Sequence, residues 1–184
     1  MTSNMSEIKI NYKEYPECMF AMIAAFLEED EGHEIRRITG KVFFRSEDEF
    51  GCTYRNGLLH SYHDEPAISD YFKKSWFNDG KLHRDGDKPS CISRHYQSWY
   101  KNGKRHREAD KPAFIAEDNS QEWWVNGVRH REGDKPAIES SNIMEWWKNG
   151  MRHREIADGP AVIDNRLGLQ EWWVYGEYKY SLRE

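Results

Sequence analysis

The chain has 184 residues, of which 38% are hydrophobic and 32% charged. This length suits one domain, or one repeat array with a small appendage, and the apolar share is lean for a thick central core. The net charge of −5 sits in residues 1–50, where 6 Lys and Arg face 11 Asp and Glu, while the remainder holds 21 of each sign; a neutral array lacks the basic footprint of a nucleic-acid binder.

Taken in chain order, Met1–Ile10 is polar and carries no secretory signal. The alternating run Ile8-Lys9-Ile10-Asn11-Tyr12 reads as a short strand. Pro16 stands where a helix can begin, and residues 16–31 read as a helix whose middle is apolar all round, with Gly32 to end it. That helix is expected either to cap the first edge of a sheet or to dock on a partner. The longest apolar run, Cys18–Leu27, has ten residues, about half of the ~20 needed to span a bilayer. Val42-Phe43-Phe44-Arg45 reads as another strand, in a stretch that resembles a worn copy of the unit repeated from residue 51 onward. Cys18, Cys52 and Cys91 have neither disulfide nor metal-ligand spacing, and free thiols in a reducing, intracellular compartment are expected.

From residue 51 to 184 the chain repeats. A turn glycine recurs at Gly57, Gly80, Gly103, Gly127, Gly150 and Gly176, at intervals of 23, 23, 24, 23 and 26 residues. Such a period marks a repeat architecture and predicts about six hairpins. Three residues beyond each of the first five glycines stands His60, His83, His106, His130 or His153. Next come Ser61, Arg84, Arg107, Arg131 and Arg154. An aspartate follows (Asp64, Asp87, Asp110, Asp134, Asp158), and a proline closes the motif (Pro66, Pro89, Pro112, Pro136, Pro160). Four residues before the glycine lies a first aromatic slot, Trp76, Trp99, Trp123, Trp146 and Trp172. The next slot holds Tyr54, Phe77, Tyr100, Trp124, Trp147 and Trp173. Asn-Gly or Asp-Gly between aromatic runs predicts a two-residue type I′ turn. Counting across it sets Trp123 against His130, Trp124 against Arg129, Glu122 against Arg131, and Glu145 against Arg154. A further strand is expected at Pro136-Ala137-Ile138-Glu139, turned by Ser140-Ser141-Asn142.

The spacing Trp124-Val125-Asn126-Gly127-Val128-Arg129-His130 resembles the MORN repeat, over about residues 52–180. The resemblance implies a mainly β fold, an elongated antiparallel sheet of stacked β-hairpins. The chain departs from it where Arg follows the His in place of Gly, and where Gln121-Glu122-Trp123 replaces a Tyr-x-Gly opening. The longer pattern, with Asp-Lys-Pro-Ala, resembles MORN-variant repeats in proteins of large DNA viruses of amoebae, which implies a viral protein.

No cofactor fingerprint or phosphate loop is present. The histidines recur one repeat apart, roughly 10 Å at two strands per unit, too far to share a zinc. Each is expected to pack beside a Trp and hydrogen-bond a carboxylate or carbonyl; no metal site is assigned. Arg107 with Asp110, and Arg131 with Asp134, are expected to tie each hairpin to its own Asp-Lys-Pro bend. Strand alternation sends the two aromatic slots to opposite faces. One row is expected in the core and the other partly exposed, bordered by Arg105, Arg129 and Arg152; the aromatic slots and these arginines are the candidates for binding a protein partner. The expected function is a non-enzymatic scaffold for protein–protein interaction or self-assembly, with no small-molecule substrate. A membrane-surface module is the alternative, because MORN proteins have been linked to phospholipids. An enzyme is a further alternative that would need a non-repeated residue such as Cys91 or His95.

Overall fold

A computed structural model describes the backbone of residues 8–11 and 40–45, and residues 51–183 in full. The expected helix at 16–31 lies outside the described residues. The chain divides into two compact units, Met1–Arg84 and Asp85–Glu184. The division falls inside the repeat array, and the strand Gly40–Arg45, which pairs antiparallel with Gly51–Arg55, lies in the same unit as the first repeat.

In the first unit Ile8–Asn11 runs parallel to Gly40–Arg45, and the sheet continues antiparallel through Gly51–Arg55, Ile68–Ser69 and Lys73–Ser75. In the second unit an antiparallel sheet runs in chain order through Cys91–Ser93, Tyr96–Ser98, Phe114–Ala116, Gln121–Glu122, Ile138–Glu139, Ile143–Glu145, Val162–Asp164, Leu169–Val174 and Glu177–Arg183. Four small hairpins stand apart from these sheets. They are Phe77–Asn78 with Lys81–Leu82, Tyr100–Lys101 with Lys104–Arg105, Trp124–Val125 with Val128–Arg129, and Trp147–Lys148 with Met151–Arg152. Each of these repeats therefore gives strands to a continuous sheet and a separate hairpin beside it.

The first-slot tryptophan is the pivot between the two. Trp123 donates its backbone N–H to Ala137 O at 2.8 Å, in the sheet, and its carbonyl accepts from His130 N at 3.2 Å, in the hairpin. Trp99 and Trp146 repeat this with Ala113 and His106, and with Ala161 and His153. The hairpin turns have positive φ at both central residues, from Asn56-Gly57 to Tyr175-Gly176, as a type I′ turn demands. The expected pairing of Trp124 with Arg129 holds.

The pairing of Glu122 with Arg131, and of Glu145 with Arg154, does not. The chain turns at the tryptophan, so Glu122 lies in the main sheet opposite Ile138 and Phe114, while Arg131 has left the hairpin and bonds Asp110. The two-residue loop is right, but the ladder it sets ends at the Trp–His level.

The core is thin. Among the described residues its buried apolar side chains are the tryptophans Trp76, Trp99, Trp123, Trp146 and Trp172, each 4–8% exposed, the alanines Ala67, Ala113, Ala137 and Ala161, fully buried, and Cys52, Tyr54, Cys91 and Val162. Each slot after the proline holds a small residue, and Ser90 takes it in the remaining copy with no exposed surface.

Candidate functional site

The repeated polar groups are spent on joining one repeat to the next. Arg107 Nε donates to Asp87 at 2.7 Å, Arg131 Nε to Asp110 at 2.9 Å and Arg154 Nε to Asp134 at 2.7 Å. Arg84 does the same to Asp64 in the first unit, at 2.7 Å. This corrects the expected pairing of Arg107 with Asp110 and of Arg131 with Asp134. Each arginine reaches back to the preceding copy, because its own Asp has moved on with the bend. Its Nη1 meanwhile donates to the carbonyl of its own proline, Pro112, Pro136 or Pro160, at 3.1, 2.9 and 3.2 Å. The guanidinium also lies flat on its own first-slot indole, 3.6 Å from the ring centre for both Arg84 on Trp76 and Arg131 on Trp123. In the last copy Tyr180 takes the arginine slot and stacks on Trp172 at 4.6 Å.

Lysines complete the clasp. Lys111 and Lys135 donate to Asp87 and Asp110, each at 2.7 Å. Hydrogen bonds from Arg107 and then Lys111 hold the Asp87 carboxyl down to about 2. Arg154 lowers Asp134 in the same way. The last bend has Gly159 where Lys88, Lys111 and Lys135 stand in earlier copies; a Cβ there would lie 2.9 Å from Arg154 Nη1. First-slot indoles donate to the bend carbonyls Asp64, Asp87 and Asp110 at 2.8–3.1 Å. Trp146 is the exception. Its N–H makes no bond of good geometry, although it lies near enough to the Asp134 carboxylate to help lower its pKa.

The histidines are stitches of the same kind. Nδ1 of His106, His130 and His153 accepts the backbone N–H of the next turn, at Asn126, Asn149 and Tyr175, at 3.1–3.3 Å. Nε2 faces Glu108, Glu132 and Glu155 at 2.9, 2.9 and 3.4 Å. The expected carboxylate contact is present. The ring stacked on an imidazole is Tyr175 against His153, at 4.0 Å, rather than a tryptophan. Among the described residues no group of three or more His, Cys, Asp or Glu is placed to hold a metal ion. Turn glycines add a further tie, with Gly127, Gly150 and Gly176 N–H donating to the carbonyls of Arg105, Arg129 and Arg152 at 2.9 Å.

The two aromatic slots part company here. The first is core, so Trp76, Trp99, Trp123, Trp146 and Trp172 present no face to a partner. The second row is half-buried and forms a ladder with the hairpin arginines. In the second unit Arg105 lies 5.5 Å from the Tyr100 ring centre and 4.9 Å from Trp124. Arg129 lies between Trp124 and Trp147 at 4.9 and 5.3 Å, and Arg152 between Trp147 and Trp173 at 5.4 and 5.5 Å. The indoles of Trp124, Trp147 and Trp173 donate to Glu122, Glu145 and Glu171 at 2.7–2.8 Å. Glu122 is also 3.5 Å from both Arg105 and Arg129. The buried Nε atoms of Arg105 and Arg129 have no hydrogen-bond partner; the aromatic faces are what surrounds them.

These glutamates escape a reading by single slots. Their signal is internal: Glu stands two residues before the second slot only where that slot is Trp. Phe77 and Tyr100 have Ser75 and Ser98 there. An indole N–H needs an acceptor; the phenyl ring of Phe77 has no polar group, and the Tyr100 hydroxyl is met by Arg105 Nη2 at 3.2 Å.

The structure places both non-repeated candidates for catalysis. Cys91 is buried with Sγ 3.6 Å from Tyr96 Oη, and His95 is an exposed residue bonded to Glu117 at 2.7 Å. Burial pushes the Cys52 thiol up to about 12, far from a reactive thiolate. No protein-family model, curated protein or solved structure matches the chain.

Proposed function

We propose that the chain is a MORN-like, non-enzymatic repeat scaffold that works inside the cell and offers the second-slot ladder to a protein partner. The observation that carries this reading is the division of labour among repeated side chains. The Arg–Asp, Lys–Asp and His–turn contacts join neighbouring copies and satisfy those polar groups. The row Tyr100, Arg105, Trp124, Arg129, Trp147, Arg152 and Trp173 is the repeated feature that brings aromatic rings to the surface, partly exposed. Large rings at low conformational cost, with arginine between them, suit protein contact. Along this row Arg105 and Arg129 lie 3.5 Å from Glu122, and Arg152 lies 3.2 Å from Glu145, so its guanidinium charge is already matched, whereas anionic lipid binding draws on clustered excess cations. No helix among the described residues is long and apolar enough to cross a membrane. A structural or host-interaction role in a virus rests on the sequence resemblance alone.

The test is photo-cross-linking in the expressing cell, with the probe at Lys101 or Lys148 beside the ladder and at exposed Tyr71 as control. Discrete protein adducts from the ladder sites, absent at Tyr71, are expected. Lack of adducts, together with salt-sensitive sedimentation on phosphatidylserine vesicles, would transfer the function to the membrane surface.

A further inference from the structure

In the second unit two lysines close on the aspartate of the bend before their own. Lys111 Nζ meets Asp87 Oδ2 and Lys135 Nζ meets Asp110 Oδ2, each at 2.7 Å. The next aspartate of the series, Asp134, has no such lysine, because Gly159 stands in that slot. The bend itself excludes one. Pro160 follows His153 by seven positions, against six from His130 to Pro136, and the longer bend forms the 3-10 turn Ile156–Asp158. Gly159 is left at φ +124°, with its Cβ position 2.9 Å from Arg154 Nη1, so a side chain there is strained and displaces the arginine. Among the described residues Arg154 is the one cation bonded to Asp134, through both oxygens at 2.7 Å. The Asp134 side chain is 48% exposed, against 42% for Asp87 and 40% for Asp110.

We propose that Asp134 is a binding site for a primary ammonium, and that it takes a lysine side chain of a partner protein as Asp87 and Asp110 take Lys111 and Lys135. The molecule supplies the precedent twice, with the same carboxylate, the same arginine and the same indole around it. A second observation lies in the cleft of about 200 Å³ that Asp134 borders; the equivalent cleft at Asp110 holds about 150 Å³. Trp146 lines the larger cleft, 7% exposed, and its buried N–H has no hydrogen-bond partner. The indoles of Trp99 and Trp123 reach the carbonyls of Asp87 and Asp110 at 3.1 and 3.0 Å. A buried N–H beside a half-exposed carboxylate marks polar space that a ligand can complete. Lys148 borders the cleft too; its counterpart Lys101 bonds Glu108 at 3.0 Å, so the acceptor matched to Lys148 is Glu155 rather than Asp134. Among the described residues no three acidic or imidazole groups converge to hold a metal, and the position suits one positive charge. Trp147 belongs both to this cleft and to the ladder, between Arg129 and Arg152, so the two surfaces are contiguous. One exposed ion pair contributes little, and an isolated lysine is expected to bind with a Kd of about tens of millimolar. A partner already held on the ladder gains the rest through effective concentration.

This deepens the scaffold reading, on which the occupant's being a partner protein rests. The test is a titration of the full, isotope-labelled chain with Nα-acetyl-lysine methylamide, to about 100 mM at constant ionic strength, following the indole N–H resonances. A saturable shift at Trp146 is expected, with Trp99 and Trp123 unmoved because their aspartates already hold lysines. The Nε-acetylated probe, which has no charge, is expected to leave Trp146 in place. Asp134→Asn is expected to raise the Kd at Trp146 at least ten-fold. Lys111→Ala opens Asp87, and Trp99 is then expected to respond with a Kd within about three-fold of that at Trp146. Silence at Trp146, equal shifts at every indole, or an equal response to the acetylated probe overturns the site. So does a Lys111→Ala variant whose Trp99 stays silent, and this arm decides if a melt shows that Asp134→Asn has unfolded. Glycine methylamide offers an α-ammonium instead; binding as tight as the lysine probe overturns the lysine side chain as the ligand. A cleft that ignores the probe leaves the ladder cross-links standing, and a cleft that responds in a chain giving no cross-links overturns the ladder reading alone.

Discussion

Ala109 sits at φ +62° in the bend after His106, a slot occupied by Gly86 and Gly133 in neighbouring copies. A Cβ in the left-handed region costs about 1 kcal/mol. Ala109→Gly is therefore expected to stabilise the protein, raising Tm by about 2–4 °C; an unchanged or lower melt would show that the bend relaxes without cost. His60 is a second residue-scale case. Burial, with the Arg55 charge beside it, lowers its pKa below the ordinary value. The unfolded chain then takes up the proton first, so stability is lost as the pH falls below about 6.5. The stability difference between wild type and His60→Gln should narrow from pH 7 to pH 5, and a constant gap would contradict the argument. Asp87, held near 2 by Arg107 and Lys111, acts further down. Its folded pKa lies below the unfolded one, so its contribution is present above about 4 and fades as the pH drops toward 2. Salt screens it, because the carboxylate is 42% exposed.

At the scale of the element, the unit of cohesion is a clasp shared by two copies. Arg131 stacks on Trp123, donates to Asp110 of the preceding bend and closes on Pro136 of its own. Lysine has one point charge and no planar face. Arg131→Lys is expected to lose about 1–2 kcal/mol in urea unfolding, because it gives up charged hydrogen bonds and the ring contact together. Lys135→Ala removes only an exposed cation on the same Asp110 and should change stability by less than about 0.5 kcal/mol. Comparable losses in the two variants would place the strength of the clasp in charge rather than in the stacked, forked geometry.

At the scale of the whole molecule, repeats that touch only their neighbours should be interchangeable. Deleting residues 127–149 removes 23 residues and joins Asn126 to Gly150, which recreates an Asn-Gly turn. In the shortened chain Arg154 meets Asp110, the chemical equal of its lost partner Asp134. A cooperative fold with lower stability and a smaller m-value is expected; a molten product would show that the copies are individually fitted.

Much of this was legible in the sequence. The 23-residue period, the type I′ turns and the Trp124–Arg129 register come from local chemistry, since positive φ and strand alternation are settled within a few residues. Residues 16–31 lie outside what the structure describes, so the helix expected there rests on sequence alone. Tertiary structure decided which repeat each polar group serves. Arg107 could bond Asp110 in its own copy or Asp87 in the one before, and residue types alone do not separate the two. The bend at Trp123 does, because it sends the hairpin out of the main sheet and lays the arginine over the earlier bend. The same bend buries one tryptophan row and leaves the other half-open, and so determines which side chains of an otherwise uniform array can meet a partner.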